Sequence, residues 1–329
     1  MLQDEARKVG ARARGRRLVA RVGLAEDIRQ AALDCGFDDC GIVSIDALEG
    51  YRDRLEERMA KVPESRAFYG GMFPPVKERY PWAKAAIVLT WDYGKFRFPQ
   101  SLQGRYGKSF FLTPEAADNN EFDQLAFMRR VRAMGIHITG GDRFPLRFAA
   151  AKAGLGIVRK NNFFYTEKGS NAVLFGCLAD CDCTLVRECT LTPCSEKCHE
   201  CQKACRSGAL CGPYTMNPIR CIGFWTTFGK GAVPPFLTEG MYQEWILGCD
   251  NCQDACPHNR RHDWSEGEPF SDVDAIAPKL VPEAVLQDSD EFLQKEVIAK
   301  SANHLGWGDA DVLRRNAERA LRNRAARAD

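Results

Sequence analysis

Thirteen of the fifteen cysteines in this 329-residue chain lie between Cys177 and Cys256, and only Cys35 and Cys40 precede them. An odd number of cysteines cannot pair completely. In the cytoplasm, where we expect the chain to reside, thiols also stay reduced, so metal ligation is favoured over a disulfide framework. The segment has too little hydrophobic periodicity for a core of its own. We therefore expect it to fold around metal.

Two motifs in this segment have the spacing of metal ligands. They are Cys194-x3-Cys198-x2-Cys201-x3-Cys205 and Cys249-x2-Cys252-x3-Cys256-Pro257. Zinc sites usually pair two C-x2-C turns across a spacer. Here each motif ends in x3-Cys, and proline follows the second, as in bacterial ferredoxins, where the last cysteine of a run binds the neighbouring cluster. The spacing predicts two 4Fe–4S clusters, with structural zinc as the alternative.

The two motifs supply seven thiolates, and two clusters need eight. Cys221, in "RCIGFWTTF" between the motifs, is the natural eighth. Cys189 is an alternative to Cys194, which lies one residue farther from Cys198 than the usual spacing. The other extra cysteines, Cys177, Cys181, Cys183 and Cys211, are interpreted as buried small hydrophobic residues, as Cys189 also is if it binds no metal. We predict one cluster on Cys194, Cys198, Cys201 and Cys256, and the other on Cys205, Cys221, Cys249 and Cys252.

Hydrophobic patterning before the cysteine segment predicts alternating helices and strands, and hence an α/β or α+β amino-terminal domain. For the chain as a whole we predict an α+β fold. The predicted strands are "CGIVSI", "AAIVLTW" and "NAVLFGCL". Helices are predicted on both sides of the first strand within residues 22–60, over 119–134, in "FPLRFAAAKAGLG", which glycine closes, and over 285–329. The predicted units are a basic extension at 1–21, an α/β core at 22–176, a cluster module at 177–265 and a helical segment at 266–329.

The charge pattern and the hydropathy limit the partners. A net charge of +2 is too small to indicate a particular class of binding partner. The arginines within residues 7–21 and 315–327 are typical of solvated helix faces, with RNA contact as the alternative. No apolar run approaches the roughly 20 residues of a membrane helix. The twin arginine in "GRRLVARVG" is followed by a charged stretch instead of an apolar signal core. We expect a cytoplasmic protein without membrane contact.

Four segments occur in an order that is typical of a known family: "AAAKAGLGIVRKNNFF", "CHECQKACRSGAL", "IRCIGFWTTF" and "GCDNCQDACPHN". Over about residues 22–325 the chain resembles the epoxyqueuosine reductases and their relatives, the corrinoid- and iron–sulfur-dependent reductases that include reductive dehalogenases. The resemblance implies a nitroreductase-like α/β core that holds base-off cobalamin. A double-cluster, bacterial-ferredoxin-like module and a helical carboxy-terminus would follow. Electrons from an external low-potential donor would pass through the clusters to cobalt.

The resemblance also implies which residues contact the corrin. In the family a glycine–lysine–asparagine segment lies against it, and Arg159 stands here where glycine is usual. Without the resemblance, "GLGIVR" is an incomplete G-x-G-x-x-G and predicts a helix C-cap beside a packed turn. His137 is a further candidate, as a lower cobalt ligand. The implied corrin contacts are Gly154, Leu155, Gly156, Lys160 and Asn161.

The substrate side departs from the family pattern. Its aspartate–tyrosine–histidine tripeptide, whose aspartate donates a proton, is replaced by "GRYGKSFFLTPEAADNNEFDQL". Tyr106 and Asp118 are the candidate catalytic proton donors there, with Arg105 and Lys108 as stabilisers of negative charge. The family's tRNA-gripping helical repeats would begin where this chain ends. We therefore expect a small-molecule or corrinoid-protein substrate, with tRNA as an alternative.

Three functions remain open at this point. The first is a reductase whose two clusters pass electrons to a bound cobalamin that reduces a substrate. The second is an electron-transfer protein that reductively activates the corrinoid of a partner, without substrate chemistry of its own. The third is a cluster-bearing protein that binds nucleic acid through its basic ends. Cobalamin binding by this chain distinguishes the first two.

Overall fold

The computed structural model describes residues 23–112, 123–141, 144–229, 233–259, 262–299 and 310–328. Asp118 and the basic stretch at residues 7–21 lie outside these ranges. The predictions made for them therefore stay predictions.

A four-stranded antiparallel sheet forms the centre of the fold, with the strand order β1-β2-β6-β3. Every residue of the second strand is buried, as expected of a central strand that is covered on both faces. The three strands predicted from the sequence are confirmed. The sheet contains β1 (Asp39–Ser44), β2 (Ala85–Asp92), β3 (Ile138–Gly140) and β6 (Ala172–Ala179), and a separate hairpin pairs β4 (Ile157–Val158) with β5 (Phe164–Tyr165).

Most helices of the described residues are short, and none combines the length with the apolar composition needed to cross a bilayer. The helix predicted at 119–134 is observed from Gln124 to Ala133. A π-helix spans Leu293–Ile298. The α-helices are α1 (Leu24–Leu33), α2 (Tyr51–Lys61), α3 (Arg66–Tyr69), α4 (Val76–Arg79), α5 (Gln124–Ala133), α6 (Leu146–Lys152), α7 (Glu200–Ala204), α8 (Ile222–Thr227), α9 (Asn251–Asp254), α10 (Val273–Ile276), α11 (Pro282–Gln287), α12 (Asp290–Phe292) and α13 (Ala310–Ala328).

Helices cover both faces of the sheet. Side chains alternate along a strand, and β2 uses both sets. Ile87 and Leu89 pack with α1 and α5 in the larger core cluster. Ala86 and Val88 pack with α6 in the second cluster. The result is a helix–sheet–helix arrangement in which α6 leads directly into the "GLGIVR" turn.

This turn depends on two glycines. Gly154 has a φ of +78°, and a Cβ there would lie 1.9 Å from the carbonyl oxygen of Arg187. A Cβ at Gly156 would lie 2.0 Å from the carbonyl oxygen of Tyr165. The interpretation of the segment as a helix C-cap beside a packed turn is therefore confirmed, because backbone packing alone requires both glycines.

Within the described residues, the core, the cysteine segment and the helical end of the chain pack together. The boundary between residues 176 and 177 is wrong, since it cuts β6, where buried Cys177 pairs with Ile87. The carboxy-terminal helices share the core cluster of the sheet. The side-chain amide of buried Asn316, on α13, donates to the carbonyl oxygens of Thr226 and Ile246, at 3.1 and 2.8 Å. The helical end of the chain is thereby fixed against the cysteine segment.

Candidate metal centres and the adjoining cleft

The first predicted cysteine set surrounds a cavity of about 210 Å³. Cys194, Cys198, Cys201 and Cys256 all line it, although Cys256 comes from a distant part of the chain. Burial, followed by the proximity of the other three thiols, raises the pKa of Cys201 to about 11. Bound metal would reverse this effect, because a coordinating thiol is deprotonated outright. The structure thus brings together the four side chains predicted for one cluster.

The second predicted set is also brought together. Cys221 immediately precedes α8, and Cys252 lies in α9. Burial raises the pKa of Cys249 and Cys252 well above the ordinary value, and repulsion from Cys221 and Cys205 adds to the effect. Half-buried thiols that would repel one another as thiolates form a site that a cationic iron–sulfur core would stabilise.

The donor chemistry fits clusters better than zinc. Both sets consist of thiols alone, the usual ligands of 4Fe–4S clusters. Within the described ranges, no three Cys, His, Asp or Glu side chains are placed to bind one metal ion. Zinc would hold all of its sulfur ligands at about 2.3 Å from a single point, whereas each thiolate of a cubane binds a different iron. The wider arrangement around the first cavity fits a cubane.

Lys160 and Asn161 hold the cysteine loops. The buried Lys160 ammonium group donates to the carbonyl oxygens of Ser195, Glu196 and Cys198, at 2.7, 2.9 and 3.0 Å. The Asn161 side-chain amide donates to the Cys252 carbonyl oxygen at 3.2 Å. Both residues line the first cavity. They join the "GLGIVR" turn to the two cysteine sets.

Arg159, at the position where the family usually has glycine, also faces the first cavity. The side chain is buried, and its Nη1 donates to Cys194 Sγ at 3.8 Å. Its guanidinium group lies over the ring of Tyr165, 5.1 Å from the centroid. Burial and then the charge of Arg159 lower the pKa of His258, which lines the same cavity. The first site therefore has a fixed positive charge beside one ligand.

We expect Arg159→Gln to lower the reduction potential of the first cluster by about 60 mV, which for one electron corresponds to about 1.4 kcal/mol. Net charge and hydrogen bonds to sulfur set cluster potentials, and the substitution removes a positive charge and weakens one such bond. A redox titration monitored by electron paramagnetic resonance measures the shift. Lys203→Gln is the control, since exposed Lys203 pairs with Glu200 on α7. An unchanged potential would contradict the role of Arg159.

A second, larger space adjoins the second cysteine set. This cleft has a volume of about 1020 Å³, at the upper end of the roughly 300–1,000 Å³ of ligand pockets. Cys221 and Cys249 lie in its wall. Cys189 lines it as well, instead of the first cavity, so its location does not support an exchange with Cys194 as ligand. Much of the remaining lining is aromatic or aliphatic and includes Tyr51, Leu55, Phe68, Tyr69, Met72, Phe73, Phe148, Phe163, Phe224 and Phe228.

The five residues predicted to contact the corrin lie in different surroundings. Of these five, all of which are described, Gly156 lines the cleft. Gly154 and Leu155 pack against neighbouring protein, and the side chains of Lys160 and Asn161 contact the cysteine loops. Reasoning from the sequence missed the lining residues of α2, α3, α6 and α8. The one available signal was Arg147, a lone charge inside the apolar start of "LRFAAA".

Tyr106 is not placed as the predicted proton donor. It is completely buried, and its hydroxyl donates to the Leu280 carbonyl oxygen at 2.8 Å. Burial raises the pKa of its hydroxyl far above the ordinary value. Arg105 is paired with Glu244, and Lys108 with Asp250 and Asp254. The prediction for Tyr106 is therefore wrong, because the loop packs into the core.

Tyr106→Phe tests this correction. We expect full reductase activity and a free energy of unfolding that falls by about 1 kcal/mol, because one buried neutral hydrogen bond is lost. Chemical denaturation and steady-state rates measure the two quantities. A large loss of rate without loss of stability would restore the catalytic interpretation.

The extra cysteines differ in burial. Cys177 and Cys181 are buried, as predicted, whereas Cys183 is half-buried and Cys211 is exposed. The thiols of Cys181 and Cys183 lie 3.4 Å apart. The prediction of a buried small hydrophobic residue therefore fails at Cys211.

Comparison with known proteins identifies the family. Residues 194–259 match the family model of the 4Fe-4S double cluster binding domain. The epoxyqueuosine reductase of Escherichia coli (strain K12) is 32% identical over 300 residues, which cover 86% of this chain and 78% of that protein. The chain belongs to the epoxyqueuosine reductase family. The epoxyqueuosine reductase of Listeria monocytogenes is 34% identical over 289 residues, covering 79% of this chain and 71% of the relative.

Solved structures of epoxyqueuosine reductases share the fold. That from Streptococcus thermophilus superposes with a TM-score of 0.71 at 23% identity, over 92% of this chain and 82% of that chain. A second epoxyqueuosine reductase structure, with an epoxyqueuosine-modified tRNA-Tyr stem loop, superposes with a TM-score of 0.66 at 21% identity. The match covers 91% of this chain and 81% of that chain. The predicted fold class and double-cluster module are confirmed, and the chain is an iron–sulfur oxidoreductase of this family. The assignment of individual ligands stays a prediction.

Proposed function

We propose that the two cysteine sets hold 4Fe–4S clusters that deliver electrons to a base-off cobalamin in the cleft, where a substrate is reduced. The observation that carries this proposal is the position of Cys221 and Cys249, which belong to the second set and form part of the cleft wall. A redox cofactor in the cleft would lie beside that cluster. This placement favours a reductase over a protein that only passes electrons to a partner.

The residues of the cleft fit a large, flat cofactor. The turn from Gly156 to Val158 and the ring of Phe163 form one part of the lining, and Phe224 and Phe228 form another. When bound, cobalamin supplies a cobalt ion that changes oxidation state. The aromatic side chains would exclude water around it. His137 is not part of the described cleft lining and instead lies against Trp82, with ring centroids 4.3 Å apart, so His137 would not hold the cofactor.

The first cluster site is the entry point for electrons in this proposal. The loop that follows Cys194 exposes Ser195, Glu196 and Lys197 to solvent, whereas Cys221 and Cys249 of the second set form part of the cleft wall. An external low-potential donor would dock near this loop. Electrons would then pass from the first set to the second and on to the cleft.

The names of the relatives supply the first substrate to test, an epoxyqueuosine-modified tRNA stem loop. The E. coli and Listeria relatives are epoxyqueuosine reductases, and one solved relative holds such a stem loop. A small molecule or a corrinoid protein is the alternative substrate. Measured conversion of the modified base by the reconstituted chain decides between these classes.

Anaerobic reconstitution tests the cofactor. After incubation with iron, sulfide and cobalamin, we expect about eight irons per chain, one cobalt per chain and a base-off absorption spectrum. Eight irons without bound cobalt would contradict the proposal. That result would favour the alternative in which the chain reduces the corrinoid of a partner protein.

A further inference from the structure

One part of the cleft carries arginines that form no ion pair with a carboxylate of the described residues. Arg54 and Arg58 lie on α2 and Arg147 on α6, and all three line the cleft. Among the described residues, the glutamates of α2 pair instead with Arg52, Lys61 and Arg66. Arg54, Arg58 and Arg147 are called the arginine wall below.

The positive charges of the arginine wall repel one another. Arg54 and Arg58 are separated by four residues on α2, the spacing at which like charges repel. Desolvation lowers the pKa of Arg147, and the charge of Arg58 lowers it further. A bound anion would relieve both effects.

The wall is held in position by Asn162. Arg147 Nη1 donates to the Asn162 carbonyl oxygen at 2.6 Å, and Arg58 Nη2 donates to its side-chain oxygen at 3.0 Å. Asn162 adopts a left-handed conformation, with a φ of 66°. Each guanidinium group has five N–H donors, so these single contacts orient the groups and leave other donors for a ligand.

The rest of the cleft indicates what kind of anion is bound. The guanidinium groups of Arg54 and Arg147 lie over the rings of Phe148 and Phe163, 5.2 and 5.8 Å from the centroids. The volume of about 1020 Å³ exceeds the needs of an inorganic ion. A ligand that fills this cleft would therefore be large, with a flat face against the aromatic side chains and an oxyanion in one part. Guanidinium forks match the geometry of phosphate oxygens.

We propose that the arginine wall binds a phosphodiester group of the molecule that occupies the cleft. The inference rests on the proposed function in so far as that function places a large ligand there. Two sources share this chemistry: the phosphodiester in the nucleotide loop of cobalamin and a backbone phosphate of RNA.

The first experiment compares two corrinoids as ligands of the reconstituted 329-residue chain, and it is called the corrinoid arm. Cobalamin carries the phosphodiester, whereas cobinamide lacks it together with the nucleotide. If cobalamin is the source, Arg58→Gln and Arg147→Gln each weaken its binding by about 10- to 100-fold, since each removes a charge-assisted hydrogen bond. Binding of cobinamide, followed by absorbance, stays within about threefold.

The RNA arm uses the same proteins with a fluorescent RNA stem loop at constant salt concentration. If RNA is the source, each variant weakens RNA binding about tenfold or more, and cobalamin binding is unchanged. Arg52→Gln is the matched control. Arg52 lies on the same helix but is exposed and paired with Glu56, so this variant should bind both ligands like the unmodified chain.

The outcomes separate the two proposals. About eight irons per variant show that the protein is folded. If the unmodified chain binds no corrinoid, the proposed function fails. The RNA-binding measurements then decide whether the arginine wall binds a phosphodiester. If Arg58→Gln and Arg147→Gln alter neither cobalamin nor RNA binding by more than about threefold, the wall is not a phosphodiester site.

Discussion

Cys198→Ser and Cys252→Ser are each expected to reduce the iron content from about eight to about four atoms per chain. The two residues line different sites, and serine oxygen is a poor replacement for a thiolate. Cys198→Ser should remove the cluster next to Arg159. Cys252→Ser should remove the cluster beside the cleft and abolish reduction of anything bound there. Iron and sulfide analysis, with electron paramagnetic resonance of the remaining cluster, measures both effects.

The control for this pair is Cys211→Ser, because Cys211 is exposed and belongs to neither set. It should retain about eight irons. Two intact clusters in both Cys198→Ser and Cys252→Ser would show that the ligand assignment is wrong. Loss of the same cluster in both variants would show that the division into two sets is wrong.

Lys160→Met has the second-largest expected effect. The substitution leaves three backbone carbonyls of the first cysteine loop without their donor. Hydrogen bonds to a charged group contribute about 1.5–3 kcal/mol each. We expect the free energy of unfolding to fall by at least about 3 kcal/mol and the first cluster to be lost. Anaerobic denaturation and the signal of the first cluster are the measurements.

Lys197→Met provides the comparison, since Lys197 lies in the same loop but is exposed. It should retain both clusters and normal stability. If Lys160→Met kept the first cluster but lost cobalamin binding, that result would support the corrin contact that the resemblance implies. The structure predicts the opposite order of effects.

Much of the sheet and both metal motifs could be predicted because their signals are local. "AAIVLTW" is apolar throughout, and β2 is buried throughout. The x2 and x3 spacings of the cysteines reflect turns of a few residues, which sequence separation describes well. The predicted elements therefore needed no knowledge of distant contacts. Gly154 likewise showed its role in the sequence, as a glycine that closes a helix.

The sequence did not locate the partners of side chains that could point in two directions. Lys160 was predicted to contact the corrin, and its ammonium group contacts a loop 35 residues away. Tyr106 was predicted to donate a proton, and its hydroxyl donates to a carbonyl 174 residues away. Neither contact leaves a periodic or compositional signal. Charge and polarity identified chemically capable residues without locating their partners.

The sequence by itself determined the family, the double-cluster module and the order of helices and strands, because these depend on short spacings and on runs of apolar residues. Only the tertiary structure decided that Cys221 and Cys249 border a cleft, and that Arg58 and Arg147 meet there across Asn162. The physical reason is that a cleft is formed by side chains from separate segments. Their proximity depends on how α2, α6 and α8 pack against the sheet and the cysteine loops.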